Sequence, residues 1–460
     1  MPRSPQAPLP LSPAARTGRD HAIDLIRALC VTAVVVLHSL MVGVTVTPDG
    51  PVFANAGDAG WWLVPVSWLL QVMPLFFVIG GFAGLRAYER MPEGSATAFV
   101  TGRLHRLVLP AVAVIGTAGV GLAALTLAGV PAELVEVAGF RFGQPLWFLA
   151  VFLLAQALLP LLVRAHRAAP FVALGALAGG AVTVDIVRAA TGVDAIGFLN
   201  LGFVWLTMQQ LGFLLADGCI DALSRRMRVT IGSAALVALA TTFITGIYSP
   251  DLIANINPPT AALILVGVVH TAAFSLLRAP ITAFAERQRA RAFTGFVSQR
   301  AMTIYLWHMS VLLVLAGGSA LLATAGMLDL PAPASPEWWL GRPVWLALAL
   351  GITALISIPL SRIEALRLPR RTARAASVAF AATLGTAAVV LLLVRGTSTT
   401  TVIAALTALT AALAIVTPVP SLEVQRMVQR TARIEGRPAS GALGGRPVLL
   451  DAQAAAAHPA

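Results

Sequence analysis

The chain contains no lysine. All 32 of its basic residues are arginine, and charged residues of both signs together make up only 11% of 460 positions. An ordinary soluble domain is about a quarter charged, so this scarcity excludes one. With only two cysteines, Cys30 and Cys219, the chain has no disulfide framework. The signatures of several enzyme classes are also missing: HExxH, a phosphate-binding Walker loop, a GxSxG elbow and Cys/His metal spacing. The net charge of +12 does not indicate nucleic acid, because the arginines sit between apolar runs rather than beside aromatic platforms.

What the chain has instead is apolar length. Apolar residues make up 58% of it. Runs fall near 23–44, 61–85, 107–130, 145–163, 170–190, 196–216, 229–248, 259–277, 301–325, 342–360, 376–394 and 401–418. About 20 apolar residues span a bilayer as a helix. Backbone groups in hydrocarbon must be satisfied within their own segment, and no alternating pattern suggests a barrel. The expectation is an all-α integral membrane protein of about twelve transmembrane helices. The run after Pro170 is the weakest, being Gly-rich and carrying Asp185. The first run is too long for a signal peptide and is read as a retained span.

Arginine placement orients the bundle. With the N-terminus in the cytoplasm, only Arg141, Arg188, Arg342 and Arg395 fall on the outer side. The bias predicts both termini inside. Trp61, Trp62, Trp338 and Trp339 then flank spans on the outer side, as an aromatic belt. Residues 1–19, rich in Pro, Ala and Ser, read as a disordered tail, and 420–460 as a basic, flexible cytoplasmic tail. The Ala-rich, lysine-free composition points to the cytoplasmic membrane of a bacterium.

Chemistry concentrates in a few places. Arg27 and His38 are 11 residues apart, within about 20° of three full helical turns, so they share one face of the first helix. Asp24 lies on that face too. Ionisable groups at membrane depth are costly and usually face a bundle interior. His38 alone reads equally as a structural or a functional histidine. Gly80, Gly81 and Gly84 thin the second span; close helix contact is the simpler reading and room for a ligand the other. Arg103 and Arg106, one turn apart beside His105, are topology anchors or a polyphosphate clamp. Trp147 and Phe148 read only as belt residues. Tyr305 and His308 share a face of the ninth span. His38, His270 and His308 fall at comparable depths, which favours a shared polar cavity over separate packing roles.

In order along the chain, R-x10-H (Arg27, His38), FFVIGGF, RxxR (Arg103, Arg106), LWFL and IYLWH resemble the acyltransferase 3 family of membrane acyltransferases, from about Arg19 to Glu364. FLNLGFVWLTMQQLGFLLADG and NPPTAALILVGVVH also look like actinobacterial members. The family usually has Ser where Gly80 stands. The resemblance implies a ten-helix acyltransferase core at 20–365, leaving two additional transmembrane helices at 376–418. It implies transfer of an acyl group, often acetyl, from cytoplasmic acyl-CoA to a hydroxyl of a glycan, lipid or small molecule, with no tightly bound cofactor and no metal. On that reading His38 is the general base. Arg27, Arg103 and Arg106 hold the donor phosphates, with Gly80 and Gly81 beside them, and Tyr305 or His308 orients the acceptor or donates to the oxyanion. The rivals are a multi-span transporter and a non-catalytic exporter of a lipid-linked or glycan precursor.

Overall fold

Apolar runs that cannot leave backbone groups unpaired in lipid fold as helices. The computed structural model describes residues 20–417 except 49, 59, 61 and 367–373. Both tails assigned above and Trp61 lie outside the described residues.

Among the described residues twelve helices are long and apolar enough to cross a membrane. The chain opens with α1 (His21–Met41), whose N-terminus is capped by the Asp20 carboxylate accepting from Ile23 N at 3.1 Å. It then turns into a two-stranded antiparallel hairpin, β1 (Val42–Thr47) and β2 (Gly50–Asn55), paired from Val42–Asn55 to Thr47–Gly50. The hairpin was not anticipated, and its first residues fall inside the apolar run read as 23–44. Next come α2 (Leu63–Leu70) and α3 (Met73–Glu89), one span broken at Gln71–Val72.

The third span, α4 (Ala96–Leu127), begins well before the apolar run does, so Arg103 and Arg106 lie inside the helix rather than ahead of it. A short α5 (Ala132–Gly143) precedes α6 (Leu146–Ala168) across a break at Gln144–Pro145. Proline lacks an N–H to continue the helix. Then follow α7 (Pro170–Thr191), α8 (Asn200–Ala216), α9 (Arg225–Ile244), α10 (Ala262–Ala285), an amphipathic α11 (Gln288–Gln299), α12 (Ala301–Thr324), α13 (Pro336–Ala365), α14 (Ala375–Arg395) and α15 (Thr399–Val416).

The main core is built by α3, α4, α6 and α8, and α14 and α15 share it through Val378, Ala381, Val389, Val402 and Leu409. The last two helices thus complete a face of α4 and α6. Thr417, just past α15, bonds His105 on α4 at 3.1 Å. At the arginine-rich end, Arg278 of α10 bridges Asp20 and Asp221. Arg228 of α9 donates to the Ser275 carbonyl at 3.0 Å. These links fix where α1 starts relative to α10. Against α1 lies α11, with Val297 packed on Ala28, Val31 and Val35.

Candidate functional site

The stripe of α1 that carries Arg27 and His38 faces the bundle. His38 Nδ1 lies 2.8 Å from His308 Nε2, joining the first and ninth spans. The two rings are nearly parallel, 9° apart. His308 is wholly buried, and its Nδ1 is 2.6 Å from the backbone carbonyl of Tyr305.

The proton positions follow from this chain. A carbonyl only accepts, so His308 Nδ1 carries a hydrogen. Neutral His308 then has its lone pair on Nε2, and the hydrogen between the rings belongs to His38 Nδ1. Neutral His38 is left with a lone pair on Nε2. That nitrogen has no hydrogen-bond partner among the described residues. A half-buried imidazole whose tautomer is fixed on one side and whose other nitrogen is an open acceptor is arranged as a proton acceptor.

Toward the arginine-rich end, Arg27 bonds Asp24 at 3.0 Å. Arg103 lies within electrostatic reach of both Arg106 and Arg27, and its guanidinium sits 4.9 Å over Phe99. Arg106 is exposed. Arg103 of α4 is therefore within electrostatic range of two further guanidiniums, Arg106 on its own helix and Arg27 on α1, and Arg27 lies roughly 16 Å from His38 along α1. Arg103 packs beside Leu104, Leu107, Leu153 and Gln156, with no space between them for a water-sized sphere. The buried Gln156 Oε1 has no partner. Gln156 was not anticipated; a lone glutamine in an apolar helix is a signal that could have marked it. An apolar groove of about 390 Å³, between α1 and α2–α3, is lined by Ile26, Leu29, Ala33 and Val36. That row lies on the other side of α1, so the groove faces away from the histidine pair.

Several expectations need correction. The Tyr305 hydroxyl donates its only proton to the Pro145 carbonyl at 2.6 Å, so it is not an oxyanion donor in this arrangement. It braces the α5–α6 break, and its backbone carbonyl fixes His308. Gly81 is a packing residue: a Cβ there would stand 2.3 Å from the Gln209 carbonyl of α8, and one at the facing Gly212 would stand 2.1 Å from the Val78 carbonyl. Gly80 is different, because a Cβ there meets only Phe152 at 3.7 Å, an ordinary contact. The serine usual at that position fits without displacement. His270 does not join the other two imidazoles, and its Nδ1 is buried without a partner.

The aromatic belt also changes. Phe148 packs with Phe76, Phe77, Phe152 and Tyr305, and Trp147 stacks on Trp205 at 5.4 Å, so the LWFL segment is interior. Trp62 and Trp338 are 3% and 1% exposed; they close α2 against α13 rather than meeting lipid headgroups.

A bundle of membrane-spanning helices with a histidine pair between its first and ninth spans defines a multi-span membrane protein. The chain belongs to the acyltransferase 3 family: the family model described as an acyltransferase domain matches residues 20–362. It is a membrane acyltransferase, and its transfer is of groups other than aminoacyl. The match ends within α13, before α14 and α15. No curated protein and no solved structure matches the chain significantly.

Proposed function

We propose that this acyltransferase moves an acyl group, acetyl in the simplest case, from acyl-CoA to a hydroxyl of a glycan, lipid or small molecule, with His38 as general base. The observation that carries this reading is the 2.8 Å bond between His38 Nδ1 and His308 Nε2, which leaves His38 Nε2 as the acceptor.

In the reaction, His38 Nε2 takes the proton of the acceptor hydroxyl as its oxygen attacks the thioester carbonyl. The C–O bond forms, the C–S bond breaks, and the proton passes from His38 to the leaving thiolate, releasing CoA. His308 does not touch substrate. It holds the His38 ring through Nε2, itself held by the Tyr305 carbonyl, and so is a positioning residue. Arg27, Arg103 and Arg106 bind the donor phosphates. Guanidinium forks suit polyphosphate, and the arginine-rich end is the one expected to face cytoplasmic CoA. Gly80 leaves room beside Phe152 for the acyl group.

The test uses the full chain in nanodiscs with radiolabelled acetyl-CoA. Binding or hydrolysis of acetyl-CoA that is weakened at least 10-fold by Arg103→Ala supports the donor assignment. Arg103→Ala with unchanged acetyl-CoA affinity sinks it. Substrate flux across sealed vesicles without acyl-CoA would replace the enzyme reading with a carrier.

A further inference from the structure

The arginine-poor end of the bundle holds a group of hydrogen-bond donors with nothing to donate to. Arg342, in the second turn of α13, lies 4.0 Å over the Trp338 ring and 5.0 Å from Trp345. Its Nη1 reaches the Val42 carbonyl at 3.4 Å. Its buried Nε has no partner, and among the described residues no carboxylate forms an ion pair with it. Glu337 on the same helix is exposed and makes no such pair.

Two indoles in the same cluster share this condition. Trp62 Nε1 and Trp338 Nε1 are buried and unpartnered, and their rings are 6.2 Å apart. A buried donor left unsatisfied destabilises the fold that holds it. All three donors call for oxygen acceptors, and the guanidinium, which has no carboxylate partner among the described residues, calls for one bearing negative charge. The cluster is also connected to the proposed base. Trp345 Nε1 donates to the Ser39 carbonyl at 3.0 Å, and Ser39 follows His38 directly. Trp345 therefore grips the last turn of α1, where His38 sits, and Arg342 the first residue of β1 just beyond it.

The geometry points to an oxyanion-binding subsite formed by Arg342, Trp338 and Trp62, which takes the carboxylate or phosphate of an anionic hydroxyl acceptor on the arginine-poor side of His38. Its assignment to the acceptor rests on the acyl-transfer reading above; the anion site itself does not. The acceptor class is then narrowed to hydroxyl compounds that also carry an acidic group, such as phosphorylated or uronic sugars.

Tryptophan fluorescence of the full chain in phosphatidylcholine nanodiscs reads the site, with glucose 1-phosphate and glucose as probes. The expected result is a saturable change with glucose 1-phosphate, at least 10-fold weaker with glucose, at least 10-fold weaker in Arg342→Gln and partly kept in Arg342→Lys. Equal responses to the two sugars, no saturable response, or an unchanged response in Arg342→Gln would overturn the proposal. A thermal melt of each variant separates misfolding from lost binding, and a misfolded Arg342→Gln passes the decision to Arg342→Lys, where unchanged affinity counts against the site. The same titration in phosphatidylglycerol nanodiscs distinguishes the other source of phosphate: a response already saturated there assigns the site to a lipid headgroup and overturns the acceptor form. Failure of acetyl-CoA to bind wild-type chain would remove the donor reading while leaving the sugar-phosphate titration to stand or fall alone.

Discussion

Two histidine pairs differ in one respect that separates chemistry from architecture. His166, 3% exposed on α6, has Nε2 at 2.9 Å from Asp217 and Nδ1 at 2.6 Å from Gln210. Both of its nitrogens are spent. His38 has Nδ1 spent on His308 and Nε2 without a partner among the described residues. A histidine beside a carboxylate is the arrangement usually sought as a catalytic pair, yet here it is the saturated one. A strong partner is common to both; the open nitrogen is found only on His38, the half-buried one of the two.

That contrast breaks most sharply on removal of the base. His38→Ala is expected to lower acyl transfer by about 10²- to 10⁴-fold, the usual contribution of a general base, with the protein still inserted and folded. Full activity in that variant, measured with radiolabelled acetyl-CoA, would end the assignment. His308→Gln should cost less, on the order of 10²-fold, because it disturbs the orientation of the base and leaves the base in place. A pH–rate profile unchanged from wild type would make His308 a packing residue only. His166→Leu should instead leave transfer per folded molecule intact. It removes the shorter of two bonds from Gln210 Nε2 and the bond to the part-exposed Asp217, and costs about 0.5–1.5 kcal/mol of stability per bond lost. Thermal unfolding in detergent reads it, and a large activity loss without destabilisation would erase the distinction between the pairs.

How much of this was legible before folding depends on the range of each interaction. The Arg27–His38 stripe was readable because both residues lie on one helix, where a fixed 100° per residue determines the face. The twelve spans were readable because solvation in lipid acts on each segment separately. Contacts between α1 and α12 are another matter. His38 and His308 are 270 residues apart, and similar depth alone left His270 an equal candidate. The Tyr305 hydroxyl was misread because its acceptor, the Pro145 carbonyl, exists only where the α5–α6 break exposes it. Close helix contact was the simpler reading of Gly81 and holds, against the donor-binding role the resemblance implied; its partner, the backbone of α8, carries no sequence signature. The interior placement of Trp147 and Phe148 was hidden for the same reason: an aromatic near a helix end looks alike whether lipid or protein covers it.

The smallest expected effect tests whether saturated polar nodes are architectural in general. Asp185, which made α7 look like a poor span, accepts from Tyr248 Oη at 2.6 Å, from Ala261 N at 2.7 Å and from Asn200 Nδ2 at 2.8 Å. The node ties the loop between α9 and α10 to α7 and α8. Burial first, and then the bond to Asp185 and its charge, push the Tyr248 phenol above its ordinary range. A phenol raised in the folded state contributes stability that is fully present below its unfolded pKa of about 10 and is lost as pH rises beyond it. Tyr248→Phe removes one donor of three, so the expected loss is about 0.5–1.5 kcal/mol at pH 7. The difference from wild type should shrink in alkali above about pH 10. Cleavage of the 245–261 loop by added protease should rise in the variant at pH 7 while acyl transfer stays at the wild-type rate. A loss of transfer without faster cleavage would mean that Asp185 acts on the reaction, and saturation would no longer separate the architectural groups from the chemical one.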